Sequence, residues 1–136
     1  MTPDPEPVPH RQRVTGVGGI FWKAADADAL QAWYVERLGV PLDAGGAMVL
    51  SWREVGGGPG STVVAPFPAD TTYFEPSSAS HMLNLRVDDL DAMLAQLRAE
   101  GVTVVGSIHE MELGRFGWIL DPEGNKIELW EPVEGV

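Results

Sequence analysis

Two residues that mark the ends of a helix occur twice in this sequence at the same spacing. Asp26 precedes an apolar helical stripe that ends at Gly39, and Asp88 precedes a second stripe that ends at Gly101, each 62 positions after its counterpart. Aspartate is favoured at helix N-caps and glycine directly after the last helical turn. A unit that occurs only twice does not build a solenoid. The spacing therefore predicts two similar modules that share one sheet system.

Each module is predicted to begin with a strand, to continue through the helix and to end with further strands. Apolar residues at helical spacing form the face that packs on the sheet, so Trp33 of the first stripe is predicted to lie in the core. With both helices on one face of the sheet, the other face is left concave for a ligand. The predicted strands span about 14–22, 47–53, 61–66, 81–87, 102–106, 115–121 and 126–131.

The charge of the chain argues against one class of partner. The 136 residues include 9 Lys and Arg against 20 Asp and Glu, which gives a net charge of −11. Such a field repels a phosphate backbone, so nucleic acid is not expected as a partner, whereas a cationic small molecule would be attracted. The absence of cysteine excludes disulfides and thiolate chemistry.

The sequence also predicts how the chain is divided. Residues 1–13 contain prolines at alternate positions between Pro3 and Pro9, which is typical of a flexible extended tail. Residues 14–136 are then a single domain, with module one at about 14–68 and module two at about 80–132. The first nine residues lack the basic and apolar parts of a signal peptide, and no apolar run is long enough to cross a bilayer. We therefore expect a soluble, cytoplasmic protein with no membrane partner.

Common catalytic motifs are missing from the sequence. Neither the Gly-Lys-Ser/Thr of a nucleotide-binding loop nor a Gly-x-Ser-x-Gly nucleophile motif occurs. The glycine-rich runs at 16–19 and 56–60 lack the dinucleotide-binding spacing, and His109-Glu110 begins a zinc-protease motif whose second histidine is absent. Any chemistry must therefore come from side chains on strands.

Several segments carry a family resemblance. They are residues 19–26 with Trp33-Tyr34 and 38–40, residues 84–91 with 100–102, and the closing hairpin 116–130, which is the most specific. These segments resemble the vicinal oxygen chelate superfamily, which includes glyoxalase I, extradiol dioxygenases and the bleomycin-resistance proteins. The resemblance implies an α+β fold in which two βαβββ modules form a cupped mixed β-sheet with the helices on its outer face. It also implies a homodimer.

The resemblance further implies where a metal would be held, because members of this superfamily bind a divalent ion through His and Glu on the concave face. The corresponding positions here are Gly19, Met82 and Glu128, with a fourth around 48–54. Only Glu128 matches a metal ligand, and a single carboxylate does not hold a divalent ion tightly. His81 is one residue from the expected position, and strand alternation turns it to the other face unless a bulge shifts the register. No cofactor is therefore predicted.

Strand alternation predicts the lining of the cavity if Glu128 faces it. Glu128 and His81 are the catalytic candidates, with His81 as a neutral general base near the cavity mouth. Glu128 could instead form an ion pair with Arg86 or Lys126. Trp118 is predicted from its parity to lie in the core. The predicted ligand-binding residues are Phe21, Trp52, Met82, Asn84, Arg86, Lys126 and Trp130.

Three functions are compatible with this sequence. The first is a metal-free cavity that binds a hydrophobic or aromatic small molecule, which could be cationic, as the bleomycin-resistance branch does by sequestration. The second is a divalent-metal-dependent lyase, isomerase or dioxygenase of the glyoxalase type, with Glu128 and His81 among the ligands. The third is a metal-independent enzyme in which Glu128 is the base and Arg86 stabilises an enolate-like charge.

Overall fold

The structure, a computed structural model, describes residues 11–54 and 56–136. In the first module, the elements are β1 (Val14–Ala24), α1 (Ala27–Leu38), β2 (Met48–Arg53) and β3 (Pro59–Pro68). In the second, they are β4 (His81–Val87), α2 (Leu90–Ala99), β5 (Val104–Met111), β6 (Gly114–Leu120) and β7 (Lys126–Pro132). Most of the predicted tail, residues 1–10, lies outside the described residues.

The seven strands form one sheet in the order β2-β3-β1-β4-β7-β6-β5. β1 pairs parallel with β3, and β4 pairs parallel with β7, so the two halves share their local topology. The modules join within one chain, through antiparallel pairing of β1 with β4. In the first module, an isolated antiparallel β-bridge pairs Leu42 with Met48, the first residue of β2. This mixed sheet with two helices confirms the predicted fold class.

Both helices are capped by aspartates. The carboxylates of Asp26 and Asp89 each accept a hydrogen bond, at 3.0 Å, from the main-chain N–H three residues later. The prediction of Asp88 as the second cap is wrong by one residue, because α2 begins only at Leu90. The predicted spacing of 62 residues holds for the glycines, because Gly39 and Gly101 both follow a helix and have the positive φ that ends it. No helix among the described residues is long and apolar enough to cross a membrane.

The main apolar core lies between the sheet and α2. The prediction that Trp33 of α1 is also a core residue is wrong, because its side chain is 50% exposed and contacts the Tyr34 ring edge-on. Amphipathic spacing indicates which face a helix turns to the sheet, but not how closely the helix packs, and α1 has no fully buried residue. The buried members of the core are Val87, Leu90, Met93, Leu94, Ile119 and Leu129.

A second apolar cluster fills part of the concave face. Phe21, Met82 and Trp118 pack there around Phe74, which is completely buried. Phe74 belongs to residues 69–80, which link β3 to β4 and which we call the linking segment. Because its aromatic side chain enters the cup, this segment covers the concave face as well as joining the two modules.

Trp118 is buried, as its parity predicts, and it belongs to this second cluster on the concave face. Its register partner on β7 is Glu128, and directly paired residues of antiparallel strands leave the sheet on the same face. The neighbouring Gly117 and Ile119 take the other face, where a Cβ on Gly117 would contact Leu94 of α2 at 3.1 Å.

Candidate functional site in the cup of the sheet

Adjacent strands bring most of the predicted site residues together on the concave face. Asn84 and Arg86 of β4 lie in register with Glu128 and Trp130 of β7, and β1 pairs with the other edge of β4. Alternate residues of each strand therefore meet on one surface. The six that meet there, none more than 8% exposed, are Phe21, Met82, Asn84, Arg86, Glu128 and Trp130.

The carboxylate of Glu128 is the centre of the first polar group in the cup. Its Oε1 accepts a hydrogen bond from Nδ2 of Asn84 at 2.6 Å, and its Oε2 accepts one from Nε1 of Trp118 at 2.9 Å. The hydroxyl of Tyr73, in the linking segment, donates a further hydrogen bond to Oε2. Uncharged donors from three parts of the chain thus occupy both oxygens of a side chain that is 3% exposed. We call these four residues the Glu128 cluster.

The electrostatics of this cluster keep Tyr73 protonated. Burial raises the pKa of Tyr73 above its ordinary value, and the negative charge of Glu128 raises it further. Lys126 lies at the edge of the cluster, where Nζ donates to the main-chain oxygen of Tyr73 at 2.7 Å and lies 5.5 Å from the ring centroid of Trp118. Partial burial lowers the pKa of Lys126, against the opposing charges of Glu128 and Glu75.

The guanidinium of Arg86 is the centre of the second polar group. It lies 5.4 Å from the ring centroid of Trp52 and 5.1 Å from that of Trp130, so two indoles flank a cation that is 3% exposed. Its Nη2 donates to the main-chain oxygen of Val136 at 2.6 Å and lies 3.6 Å from a carboxylate oxygen of Glu54. Within the described residues, Nε and Nη1 have no hydrogen-bond partner.

Glycines in β1 make room for both polar groups. A Cβ on Gly18 would lie 2.4 Å from Oδ1 of Asn84 and 2.7 Å from the Trp130 ring, and a Cβ on Gly16 would lie 2.3 Å from the Trp52 ring. Real side chains do not fit at these distances. The glycine run that lacks nucleotide-binding spacing therefore permits the site residues to pack closely on β1.

The structure does not bring His81 into this site. His81 is exposed at the start of β4, where it pairs with Trp22 of β1. Its neighbour Met82 is buried on the concave face, and alternation turns His81 to the opposite face. The two catalytic candidates, His81 and Glu128, are thus on different faces of the sheet.

Cavities of small-molecule size adjoin both polar groups. A cavity of about 570 Å³ lies beside Trp52, between Ser51, Arg53 and Ser61. A second, of about 320 Å³, reaches Arg86 itself, and residues 135–136 border both of these cavities. Pockets that bind small molecules typically enclose about 300–1,000 Å³.

A further cavity, of about 370 Å³, lies on the other side of the cup. Its walls include Trp118 and Tyr73 of the Glu128 cluster, together with His109 and Lys126. The ring of His109 lies edge-on to the indole of Trp118, with the centroids 4.8 Å apart. Of the predicted ligand-binding residues, Lys126 thus borders this cavity, whereas Trp52 and Arg86 border those on the first module's side.

The donors in the cup do not fit a divalent ion. Gly19 offers no side chain, Met82 offers a thioether, and the Glu128 oxygens already accept three hydrogen bonds from the protein. Divalent metals of this type need several nitrogen, oxygen or thiolate donors in a fixed geometry. In the part of the chain that the structure describes, no three His, Asp or Glu side chains come close enough to hold an ion.

The predicted ion pair of Glu128 with Arg86 or Lys126 is not formed among the described residues. Arg86 lies near Glu54 instead, and Lys126 donates a hydrogen bond to the main-chain oxygen of Tyr73.

Two residues of the Glu128 cluster were not among the predicted site residues. Tyr73 lies between the modules, in a segment without strand or helix periodicity, so no sequence signal places it. Trp118 had such a signal. It lies ten positions before Glu128, and the two residues are on the two strands of the closing hairpin. Counting register across that hairpin from its turn pairs the two residues.

Comparisons with known proteins identify relatives of this fold. The family described as glyoxalase-like domain matches residues 19–130. The structure is similar to methylmalonyl-CoA epimerase from Mycobacterium tuberculosis, with 27% sequence identity, a TM-score of 0.56, and coverage of 88% of this chain and 89% of that one. It also matches a variant of the Streptomyces coelicolor methylmalonyl-CoA epimerase, at 20% identity and a TM-score of 0.60, covering 86% and 94% of the two chains, which shows the shared fold alone. A search of curated proteins gives no match.

Proposed function

The chain belongs to the glyoxalase-like domain family, and we propose that it binds an aromatic or otherwise hydrophobic small molecule without a divalent metal. The observation that carries this proposal is the engagement of both Glu128 oxygens by donors of the protein. Its two oxygens accept hydrogen bonds from Tyr73, Asn84 and Trp118, so the one side chain that matches a metal ligand is already used within the protein.

We place the ligand in the cavity beside Trp52. The indole provides a flat apolar wall, and its Nε1 is fixed by a hydrogen bond to the hydroxyl of Thr62 at 2.7 Å. Ser51, Ser61 and Arg53 supply a few polar groups around that wall. A pocket with an aromatic wall and a small number of polar groups suits a small organic ligand. Since the described lining residues include Arg53 and no Asp or Glu side chain, this cavity favours a neutral or anionic aromatic ligand over a cationic one.

The enzyme alternatives are less well supported by the same contacts. Epimerisation, the activity named for the Mycobacterium tuberculosis relative, requires an acid and a base that reach the substrate. Glu128 is 3% exposed and its oxygens face protein donors, so it is poorly placed to remove a proton from a substrate. Arg86, the proposed partner of such a base, lies between two indoles and faces Val136.

The proposal is tested by ligand titration of the intact chain. We expect naphthylacetamide, a neutral aromatic probe, to quench tryptophan fluorescence in a saturable way. Trp52→Leu should weaken this binding by about tenfold, because the apolar wall is lost. Trp33→Leu is the matched control, since Trp33 is 50% exposed on α1 and far from the concave face in the fold. Binding that is equal in both variants, or absent from the parent chain, would overturn the proposed site.

We also propose a homodimer, as the resemblance implies. Ile20 of β1 and Leu83 of β4 are directly paired at the junction of the modules, on the face opposite to the cup, and they are 43% and 41% exposed. Neighbouring exposed apolar side chains of this kind often mark an interface. Sedimentation velocity should give twice the mass of the chain, and Leu83→Lys should shift the protein toward the monomer.

A further inference from the structure

Arg86 is a buried cation with unused hydrogen-bonding capacity. Its guanidinium is 3% exposed, yet neither Nε nor Nη1 has a partner among the described residues. Burying N–H donors without acceptors is costly, and more so when the group is charged. A side chain that retains such donors next to a cavity of about 320 Å³ has the properties of a binding group.

The surroundings of Arg86 hold it in one orientation. The rings of Trp52 and Trp130 flank the guanidinium, and the Trp130 ring is stacked in turn on Phe116, with the ring planes 5° apart. The indole Nε1 of Trp130 donates to the main-chain oxygen of Leu113 at 3.0 Å. A guanidinium held between two rings has little freedom to move, and its N–H groups suit recognition of a planar oxyanion.

The acceptor now bound to Arg86 comes from residues 133–136. The main-chain oxygen of Val136 accepts from Nη2 at 2.6 Å, and this contact lies between the cavity beside Trp52 and the cavity that reaches Arg86. Few other hydrogen bonds hold these residues, namely those from Val133 to Leu113 at 3.1 Å and from Val136 to Val133 at 3.3 Å. This contact uses only Nη2, so Nε and Nη1 are left for a ligand carboxylate, which can accept from two nitrogens.

We propose that Arg86 is the anchor for a ligand carboxylate, which replaces the Val136 oxygen and joins the two cavities into one cleft. This inference rests on the proposed function, because it adds the charge of the ligand to the aromatic body bound beside Trp52. The ligand class is an aromatic carboxylic acid, whose ring packs on Trp52 while its carboxylate binds Arg86.

Glu54 weakens the attraction of Arg86 for an anionic ligand. Its carboxylate lies 3.6 Å from Nη2, which is beyond hydrogen-bond distance, and its side chain is 30% exposed. Glu54 therefore reduces the attraction of Arg86 for a second anion without satisfying its free N–H groups. Removing this charge while keeping the shape of the side chain should strengthen binding of a carboxylate and leave binding of a neutral ligand unchanged.

The test compares naphthylacetate with naphthylacetamide, which share the aromatic body and differ in charge. We expect the parent chain to bind naphthylacetate about tenfold or more tightly, as a charge-assisted hydrogen bond predicts. Glu54→Gln should widen this ratio severalfold, and Arg86→Lys should reduce it toward one. Since Arg86 is buried and its substitution can impair folding, Glu54→Gln, at a partly exposed position, is the decisive variant.

A second measurement follows the displaced residues. Hydrogen exchange at the amides of Val133 and Val136 should accelerate when naphthylacetate binds, and should not change with naphthylacetamide. Equal affinity for the two probes in the parent chain and in Glu54→Gln would overturn the carboxylate anchor but leave the aromatic site intact. Tight binding of the acetate with unchanged exchange would overturn the displacement of residues 133–136. Failure of both probes to bind would instead contradict the proposed function.

Discussion

The hydroxyl of Tyr73 donates a hydrogen bond to the carboxylate of Glu128, which follows it by 55 positions in the chain. This contact ties the linking segment to β7, while Asn84 and Trp118 tie β4 and β6 to the same carboxylate. The position that matches a metal ligand in the superfamily therefore organises the cup through protein donors alone. The free energy of unfolding and the shape of the cup should therefore both depend on the hydrogen bonds to Glu128.

Removing the Glu128 carboxylate should destabilise the fold. Glu128→Ala leaves three donors in the cup without an acceptor, two of them on the buried side chains of Asn84 and Trp118, and we expect the free energy of unfolding to fall by about 3–5 kcal/mol. Glu128→Gln should cost less, because the Gln oxygen still accepts from Tyr73 and Trp118, and a flip of the Asn84 amide lets its Oδ1, which has no partner among the described residues, accept from the Gln NH2 group. Urea unfolding followed by tryptophan fluorescence measures both.

Glu112→Ala is the control for these two variants, because Glu112 is exposed between β5 and β6. Its free energy of unfolding should stay within about 0.5 kcal/mol of that of the parent chain. A Glu128→Ala variant as stable as the Glu112 variant would show that the cluster does not hold the cup together.

The raised pKa of Tyr73 should appear as a loss of stability at high pH. Above the ordinary tyrosine pKa of about 10, the unfolded chain releases the Tyr73 proton while the native state keeps it, since burial and Glu128 raise its pKa. The free energy of unfolding should then fall by up to about 1.4 kcal/mol per pH unit, and the contribution is complete below pH 10. In Tyr73→Phe this component of the slope should disappear.

An absorbance titration tests the same shift directly. The chain has two tyrosines, so in a Tyr34→Phe background the tyrosinate signal reports Tyr73 alone. We expect this signal to appear only at a pH clearly above 10, or together with unfolding. A reversible titration of the folded protein at pH 10 would contradict the buried contact with Glu128.

The face that each residue of β4 takes was predictable because one parity of this strand is strictly apolar. In β4, Leu83, Leu85 and Val87 alternate with Met82, Asn84 and Arg86, and this period of two specifies the face of every residue. In β6, both parities contain large apolar residues, so the alternation within this strand does not decide which face Trp118 takes. Register with Glu128 decides it, and register is a property of paired strands.

Other parts of the site had no comparable signal. The linking segment contributes Tyr73 and Phe74 through contacts with residues far away in sequence, and its own pattern is neither helical nor extended. The contact of Val136 with Arg86 is equally nonlocal. The second helix cap was predicted at Asp88 and lies at Asp89, because helix boundaries are uncertain by one or two residues in sequence and α2 begins only at Leu90.

Because site residues pack closely against β1, substitution of Gly18 should destabilise the protein more than substitution of Gly45. Gly18→Ala would place a Cβ 2.4 Å from Asn84 and 2.7 Å from Trp130, so β1 or the site residues must move, at a cost of about 1–3 kcal/mol. Gly45→Ala is the control, since its Cβ would be 3.5 Å from Asp43, an ordinary contact, and should be neutral or slightly stabilising. Thermal unfolding of the two variants in parallel measures the difference, and equal melting temperatures would show that β1 adjusts without cost.

The donor set of the cup leads to a final prediction, which concerns metals. A protein with one metal site gains about 2.7 kcal/mol of stability when the free ion is at one hundred times its dissociation constant. Because Gly19 and Met82 lack suitable donors and both Glu128 oxygens already accept hydrogen bonds from the protein, we expect no saturable rise in melting temperature with Ni, Zn, Mn or Fe(II). Protein purified without chelator should also contain no stoichiometric metal. A rise that saturates with one ion and is lost in Glu128→Gln would show that Tyr73, Asn84 and Trp118 release the carboxylate to a metal, and it would favour the metal-dependent alternative over the binding function proposed above.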